Sequence, residues 1–215
     1  MHQLKITALF GGTFDPIHYG HLNTILSVAK DFNLSKVYLM PNNIPPHKAV
    51  PRTTVRQRLD MIKLAIHNQP LFDIERYELN KKQPSYTIET LKAWRQTHSN
   101  NESLVFIIGK DSLITLNHWQ YWQDLLNYCH LIVCPRPGFS EAMYSLELQN
   151  WITQHLAYDK SLLKTTPYGY LFFADNPLSN ISATTIRQHL ASGKYSDHIL
   201  PPAVLNYIKK HKLYK

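Results

Sequence analysis

Residues 6–22 read ITALFGGTFDPIHYGHL. Ile6 to Phe10 form a short β-rich run that ends on Gly11 and Gly12, where the missing side chains allow the backbone to approach a ligand closely. Pro16 stiffens the turn that follows, and His18 and His21 lie three positions apart at the start of a helix, so both imidazoles can face one space. A helix N-terminus carries unpaired amides and positive potential, so strand, glycine turn and helix together suit an anion such as a phosphate group. Two histidines in isolation would read as solvent-exposed or structural; it is the dense sequence around them that favours the anion-binding reading.

The same alternation of short strand and longer helical segment continues along the chain. Val37 to Met40, Phe72 to Glu75, Leu104 to Ile108, Leu131 to Val133 and Tyr170 to Phe173 are the further strand candidates. Between them Val55, Leu59, Ile62 and Ile66 step by four, three and four, one apolar helix face, with Arg56, Arg58 and Lys63 expected on the other. This β-α-β-α order predicts an α/β fold: a Rossmann-like, doubly wound, mostly parallel sheet with helices on both faces. Ligands of such sheets gather at the carboxyl ends of the strands. One domain over residues 1–215 is expected, with a helical C-terminal part from about residue 182 packed on it. The basic tail from Lys209 to Lys215 reads as the solvated end of a last helix that begins near Pro201 and Pro202.

Hydrophobic residues at 44% and charged residues at 18% exclude a disordered or low-complexity chain. Twenty-three Lys and Arg against 15 Asp and Glu leave a formal charge of +8, which suits a polyanion without saying which. The apolar runs fall far short of the ~20 residues that cross a bilayer. With no signal-peptide core after Met1, a cytoplasmic location is expected. Cys129 and Cys134, five positions apart, fit neither a Cys-x-x-Cys pair nor a zinc knuckle and read as buried thiols.

Known phosphate motifs do not apply. Gly11 and Gly12 do not supply G-x-G-x-x-G, and Gly109-Lys110 lacks the rest of a P-loop. His18 and His21 have no third ligand at a recognisable spacing, so no metal ligand set is assigned. After the second strand comes PNNIPPHK (41–48), in which Pro45 and Pro46 hold Lys48 as a candidate phosphate ligand. In ISATTIR (181–187) Ser182 is placed to cap a helix whose first-turn amides, Thr184 hydroxyl and Arg187 can form a second anion site opposite the first. Two helix N-termini and a lysine around one cleft would hold a triphosphate.

GGTFDPIHYGHL, PNNIPPHK, PSYTIETL, IIGKDS, HWQYW, CPRPG and ISATTIR, in this order over nearly the whole chain, resemble the bacterial nicotinate-nucleotide adenylyltransferases. The His-x-Gly-His element is shared across nucleotidyltransferases; its combination with PNxxPPHK and SYTxxTL is far more specific. The resemblance implies direct in-line transfer of the adenylyl group of ATP to nicotinate mononucleotide, with Mg²⁺ carried on ATP and neither nucleic acid nor membrane as a partner. It implies catalytic roles for His18, His21, Lys48 and Arg187, with His21 the stronger histidine. ATP would be bound by Gly11, Gly12, Thr13, Phe14, His18, His21, Asp111, Ser182, Thr184 and Arg187. The mononucleotide would meet Asp15, Lys48, Tyr86, Thr87 and Trp119, with amides on its carboxylate and an aromatic ring on its pyridine. Ala183 stands where such chains often carry serine. In HWQYW, Tyr121 and Trp122 read as packing residues by composition, and only the resemblance singles out Trp119. Open alternatives are another phosphomonoester as acceptor, such as nicotinamide mononucleotide or phosphopantetheine, a nucleotide sensor without turnover, and a nucleic-acid-binding module.

Overall fold

The apolar run of the first strand is buried on both sides, as a central parallel strand requires. In the computed structural model this strand, β1 (Ile6–Gly12), pairs in parallel with β2 (Lys36–Pro41) on one side and β4 (Ser103–Gly109) on the other. The structure describes residues 3–43, 51–81, 86–98, 102–194 and 198–215. Among these, β3 (Phe72–Ile74), β5 (His130–Cys134) and β6 (Leu171–Phe173) complete a six-stranded sheet in the order β3-β2-β1-β4-β5-β6, parallel at every pairing. All six strand expectations hold, with boundaries moved by a residue or two.

Side chains alternate between the faces of each strand, so each face builds its own core. One core holds Ala8, Val105, Ile107 and Phe172 together with α1 (Tyr19–Asp31), α2 (Val55–Ile66), α6 (Ala183–Ala191) and α7 (Pro202–Lys210). The other holds Leu9, Leu104, Phe106 and Val133 with α3 (Thr87–Thr97), α4 (Lys110–Ile114) and α5 (Leu146–His155). Helices thus cover both faces. Cys129 and Cys134 are buried free thiols, and burial raises the Cys134 pKa to about 12, so it stays protonated and inert. Among the described residues no helix is long and apolar enough to cross a membrane.

Two expectations need correction. Arg58 is not on a solvated helix face: it is 1% exposed, and its Nη1 donates to the carbonyls of Thr13 at 2.9 Å and Asn42 at 2.7 Å. Those carbonyls belong to the residues directly after β1 and β2, and the guanidinium pairs backbone that would otherwise lack this donor. Nor is the tail after α7 wholly solvated. Lys212 and Tyr214 adopt left-handed backbone, φ 52° and 63°, and Tyr214 turns back into the core at 5% exposure.

Candidate active site

The strand order reverses between β1 and β4, which places their carboxyl ends beside an open crevice. A cleft of about 1170 Å³ fills it. Gly11, Gly12, Thr13, Phe14, Asp15, His18, His21, Tyr86, Thr87, Asp111, Trp119, Ser182, Thr184 and Arg187 all line this one cleft, although they come from five separate parts of the chain. Lys48 lies outside the described residues.

The wall after β1 is fixed by close packing. Phe14 takes a left-handed backbone, φ 51°, and its ring lies over Gly12, where a Cβ would come within 2.9 Å of it; only glycine fits. The Phe14 ring meets His21 edge-on at 5.2 Å, and His21 stacks on His18 at 3.7 Å between ring centres. His18 is the extended N-cap of α1 and is 3% exposed. Burial first, and the positive charge of Arg136 second, push its pKa down to about 3. At neutral pH His18 therefore meets an anion as an uncharged N–H donor. Gly20 makes room for it, because a Cβ there would lie 2.9 Å from both His18 Nδ1 and Ser179 Oγ.

The opposite wall is the N-terminus of α6. Ser182 caps it as expected, accepting from the Thr185 amide at 3.2 Å. Arg187, one turn in, donates Nη1 to the Asp15 carbonyl at 2.8 Å and Nη2 to the Thr184 hydroxyl at 3.2 Å. That bond joins α6 to the β1 loop, so the two proposed anion sites face each other across one space. The Asp15 carboxylate is 4% exposed and engaged by protein: Arg52 N at 2.9 Å, Thr53 Oγ1 at 2.5 Å and Tyr214 Oη at 2.6 Å donate to it. What Asp15 offers the cleft is main chain, not a carboxylate aimed at a ligand.

Farther along, Tyr86 is the N-cap of α3 and Thr87 its first residue, and both line the cleft, so the start of that helix lies at its wall. Trp119 is half-buried beside them, whereas its neighbours divide: Trp122 is core at 8% exposure and Tyr121 is surface at 62%. Glu78 closes this end, accepting from the Thr90 hydroxyl at 3.0 Å, and burial raises its pKa to about 7. Asp111 lies at the other end of the cleft with Arg136, whose Nε sits 3.3 Å from Asp111 Oδ1.

Arg136 is a cleft cation that the sequence reading did not name. It sits in CPRPG, two residues past the end of β5, and a cation at the carboxyl end of a strand next to the reversal of strand order is the signal that marks it. Ser179, also in the cleft, had no signal beyond its nearness to ISATTIR.

The model of the cytidylyltransferase-like family matches residues 9–189. A Pectobacterium atrosepticum protein named "Probable nicotinate-nucleotide adenylyltransferase" is 50% identical over 98% of this chain and 99% of its own length. A Serratia proteamaculans protein of the same name is 49% identical over 97% and 94%. Among solved structures, the Plasmodium falciparum nicotinic acid mononucleotide adenylyltransferase complexed with APC superposes with a TM-score of 0.70 at 21% identity, covering 98% of this chain and 97% of that one. The same protein complexed with NaAD gives 0.70 at 22%, with equal coverage, and shows the shared fold. With half its residues identical over nearly the full length of such a relative, the chain belongs to the nicotinate-nucleotide adenylyltransferases of the cytidylyltransferase-like family.

Proposed function

We propose that this protein transfers the adenylyl group of ATP to nicotinate mononucleotide, giving nicotinate adenine dinucleotide and pyrophosphate. The observation that carries the reading is the pairing, across a single cleft, of the α1 start bearing His18 and His21 with the α6 start bearing Ser182, Thr184 and Arg187. The names of the relatives support the same reaction.

The acceptor's phosphate, with a second pKa near 6, is already an anionic nucleophile at neutral pH, so no side-chain nucleophile and no covalent intermediate are needed. Its oxygen bonds to the α-phosphorus as the bond from that phosphorus to the bridging oxygen breaks, and the electron pair leaves with pyrophosphate. The protein aligns the three groups and neutralises the charge that shifts onto the leaving group. His21, Arg187 and the α6 amides do this from two sides, with the uncharged His18 as a hydrogen-bond donor and Lys48 as a further phosphate ligand. Asp111 and Arg136 suit the nucleoside end of ATP, and the α3 amides with Trp119 suit a pyridine carboxylate. The cleft carboxylates of Asp15, Asp111 and Glu78 already have protein partners, so Mg²⁺ would be carried on the ATP phosphates and would supply charge neutralisation there.

Pyrophosphate release from ATP and Mg²⁺, with nicotinate or nicotinamide mononucleotide as acceptor, tests the reading. Release with the acid acceptor is expected, at a higher kcat/KM than with the amide, because amide donors bind a carboxylate better than a carboxamide. ATP binding without release would make the protein a sensor, and equal kcat/KM for the two acceptors would reject the specificity.

A further inference from the structure

The Asp15 carboxylate ties together segments that have no local reason to meet. Its Oδ2 accepts from the amide of Arg52, just ahead of α2, and its Oδ1 from the hydroxyls of Thr53 and of Tyr214, 199 residues away along the chain. Its own main-chain carbonyl accepts from Arg187. Tyr214 arrives there on two left-handed, non-glycine backbone positions, Lys212 and Tyr214, which are unfavourable for residues with a side chain, so specific contacts at the end of the tail must offset that cost. Two contacts do so: the ring joins the core that contains α1, α2 and α7, and the hydroxyl reaches Asp15. Burial and the adjacent carboxylate hold the phenol well above its ordinary pKa, so it remains a donor.

We propose that Tyr214 is a positioning residue for adenylyl transfer: its hydroxyl, through the Asp15 carboxylate, fixes the Asp15 carbonyl on which the Arg187 guanidinium rests, and so aims that guanidinium at the polyphosphate. The proposal rests on reading the cleft as an adenylyl-transfer site. Arg187 has a flexible stem, and in the cleft its direction is set by two bonds, to the Asp15 carbonyl and to Thr184. The Thr184 bond is internal to α6; the Asp15 bond is the one that refers the guanidinium to the loop holding His18 and His21. A carboxylate that loses one of three donors shifts toward the remaining two, and its carbonyl moves with it.

Tyr214→Phe keeps the ring and removes the hydroxyl, which separates the two roles. Steady-state pyrophosphate release is compared for the wild type, Tyr214→Phe, Arg187→Ala and the double variant, with thermal midpoints measured alongside. Tyr214→Phe is expected to lower kcat about tenfold, with the KM for nicotinate mononucleotide within about twofold and the folded fraction unchanged at the assay temperature. In the Arg187→Ala background the same substitution is expected to change kcat by less than about twofold, because the effect passes through the missing guanidinium. Thr53→Val removes the other hydroxyl on Oδ1 and is expected to show the same coupling, which keeps the test open should Tyr214→Phe fold poorly. Wild-type kcat in Tyr214→Phe, or an equal loss in both backgrounds, overturns the proposal. A wild-type protein that releases no pyrophosphate overturns the adenylyl-transfer reading itself, and the positioning role of Tyr214 falls with it.

Discussion

His21 and Arg58 are two cleft-side cations or donors of opposite kinds. His21 stands at the open surface of the cleft, stacked on His18, so its side chain can meet charge that develops on the leaving group. His21→Ala is expected to lower kcat about a hundredfold, roughly 3 kcal/mol of transition-state stabilisation, with little change in thermal midpoint. Initial rates near the wild type would remove His21 from the mechanism. Arg58 lies under the cleft and pairs the Thr13 and Asn42 carbonyls. Arg58→Met keeps the stem and leaves both carbonyls without that donor, at an expected cost of about 3 kcal/mol in chemical denaturation. A loss below about 0.5 kcal/mol would show those carbonyls to be satisfied otherwise. The two residues also differ in how the sequence presents them. His21 is legible because its spacing from His18 and the glycines before it form a local pattern. Arg58 sits in a helix whose apolar stripe runs elsewhere, and periodicity tells which face packs on the sheet, not that a polar position is roofed by the loop of another strand.

Strands were the most legible elements, because residues buried on both faces must be apolar in sequence, and Leu104 to Ile108 or Leu131 to Val133 admit little else. The alternation with helices makes the sheet parallel; its order, seen only in the structure, brings the carboxyl ends of β1 and β4 together, and the residues named from the sequence gather in the loops there. The tail was illegible for the converse reason: the Tyr214 ring packs in a core built from distant elements and its hydroxyl bonds Asp15 across the molecule, and no local pattern encodes such contacts. α1 offers a direct test of how far an element's start sets the chemistry. Gly20 lies in its first turn, where alanine would ordinarily strengthen a helix by up to about 1 kcal/mol. Here the added Cβ would press on the buried His18 ring and Ser179, and the ring, already stacked on His21, must shift. Gly20→Ala is therefore expected to lower kcat/KM by about tenfold or more and to lower the thermal midpoint slightly, because overpacking at a buried ring, about 1–3 kcal/mol, exceeds the helix gain. Unchanged kcat/KM would show that the ring can yield without cost.

Taken over the whole molecule, the burial that shapes the cleft also sets its response to acid. His18 is pushed from 6.5 down to about 3 and His130 from 6.5 to about 4, each chiefly by burial. His130 is held neutral between two backbone groups, accepting from the Tyr170 amide at 3.2 Å through Nδ1 and donating to the Thr166 carbonyl at 3.0 Å through Nε2. Unfolding frees both rings to bind protons below pH 6.5, so their contribution to stability is full above that value and is lost as pH falls toward their folded pKa values. Glu78 acts in the opposite sense. Burial raises its pKa from 4.5 to about 7, so the native state keeps a proton that the unfolded chain gives up, and its contribution is full below 4.5 and lost as pH rises through 7. Between pH 6.5 and 5 the two histidines outweigh the one acid, so these three groups leave a net uptake of about 0.7 proton on unfolding and a contribution to stability that falls by about 1 kcal/mol per pH unit. Glu78→Gln removes the opposing group, and its slope over the same range is expected to be about twice as steep. Urea denaturation of both proteins at pH 7, 6 and 5 measures the two slopes. A wild-type stability that is flat to pH 5, or identical slopes in the two proteins, would mean that these side chains exchange protons with solvent in the native state.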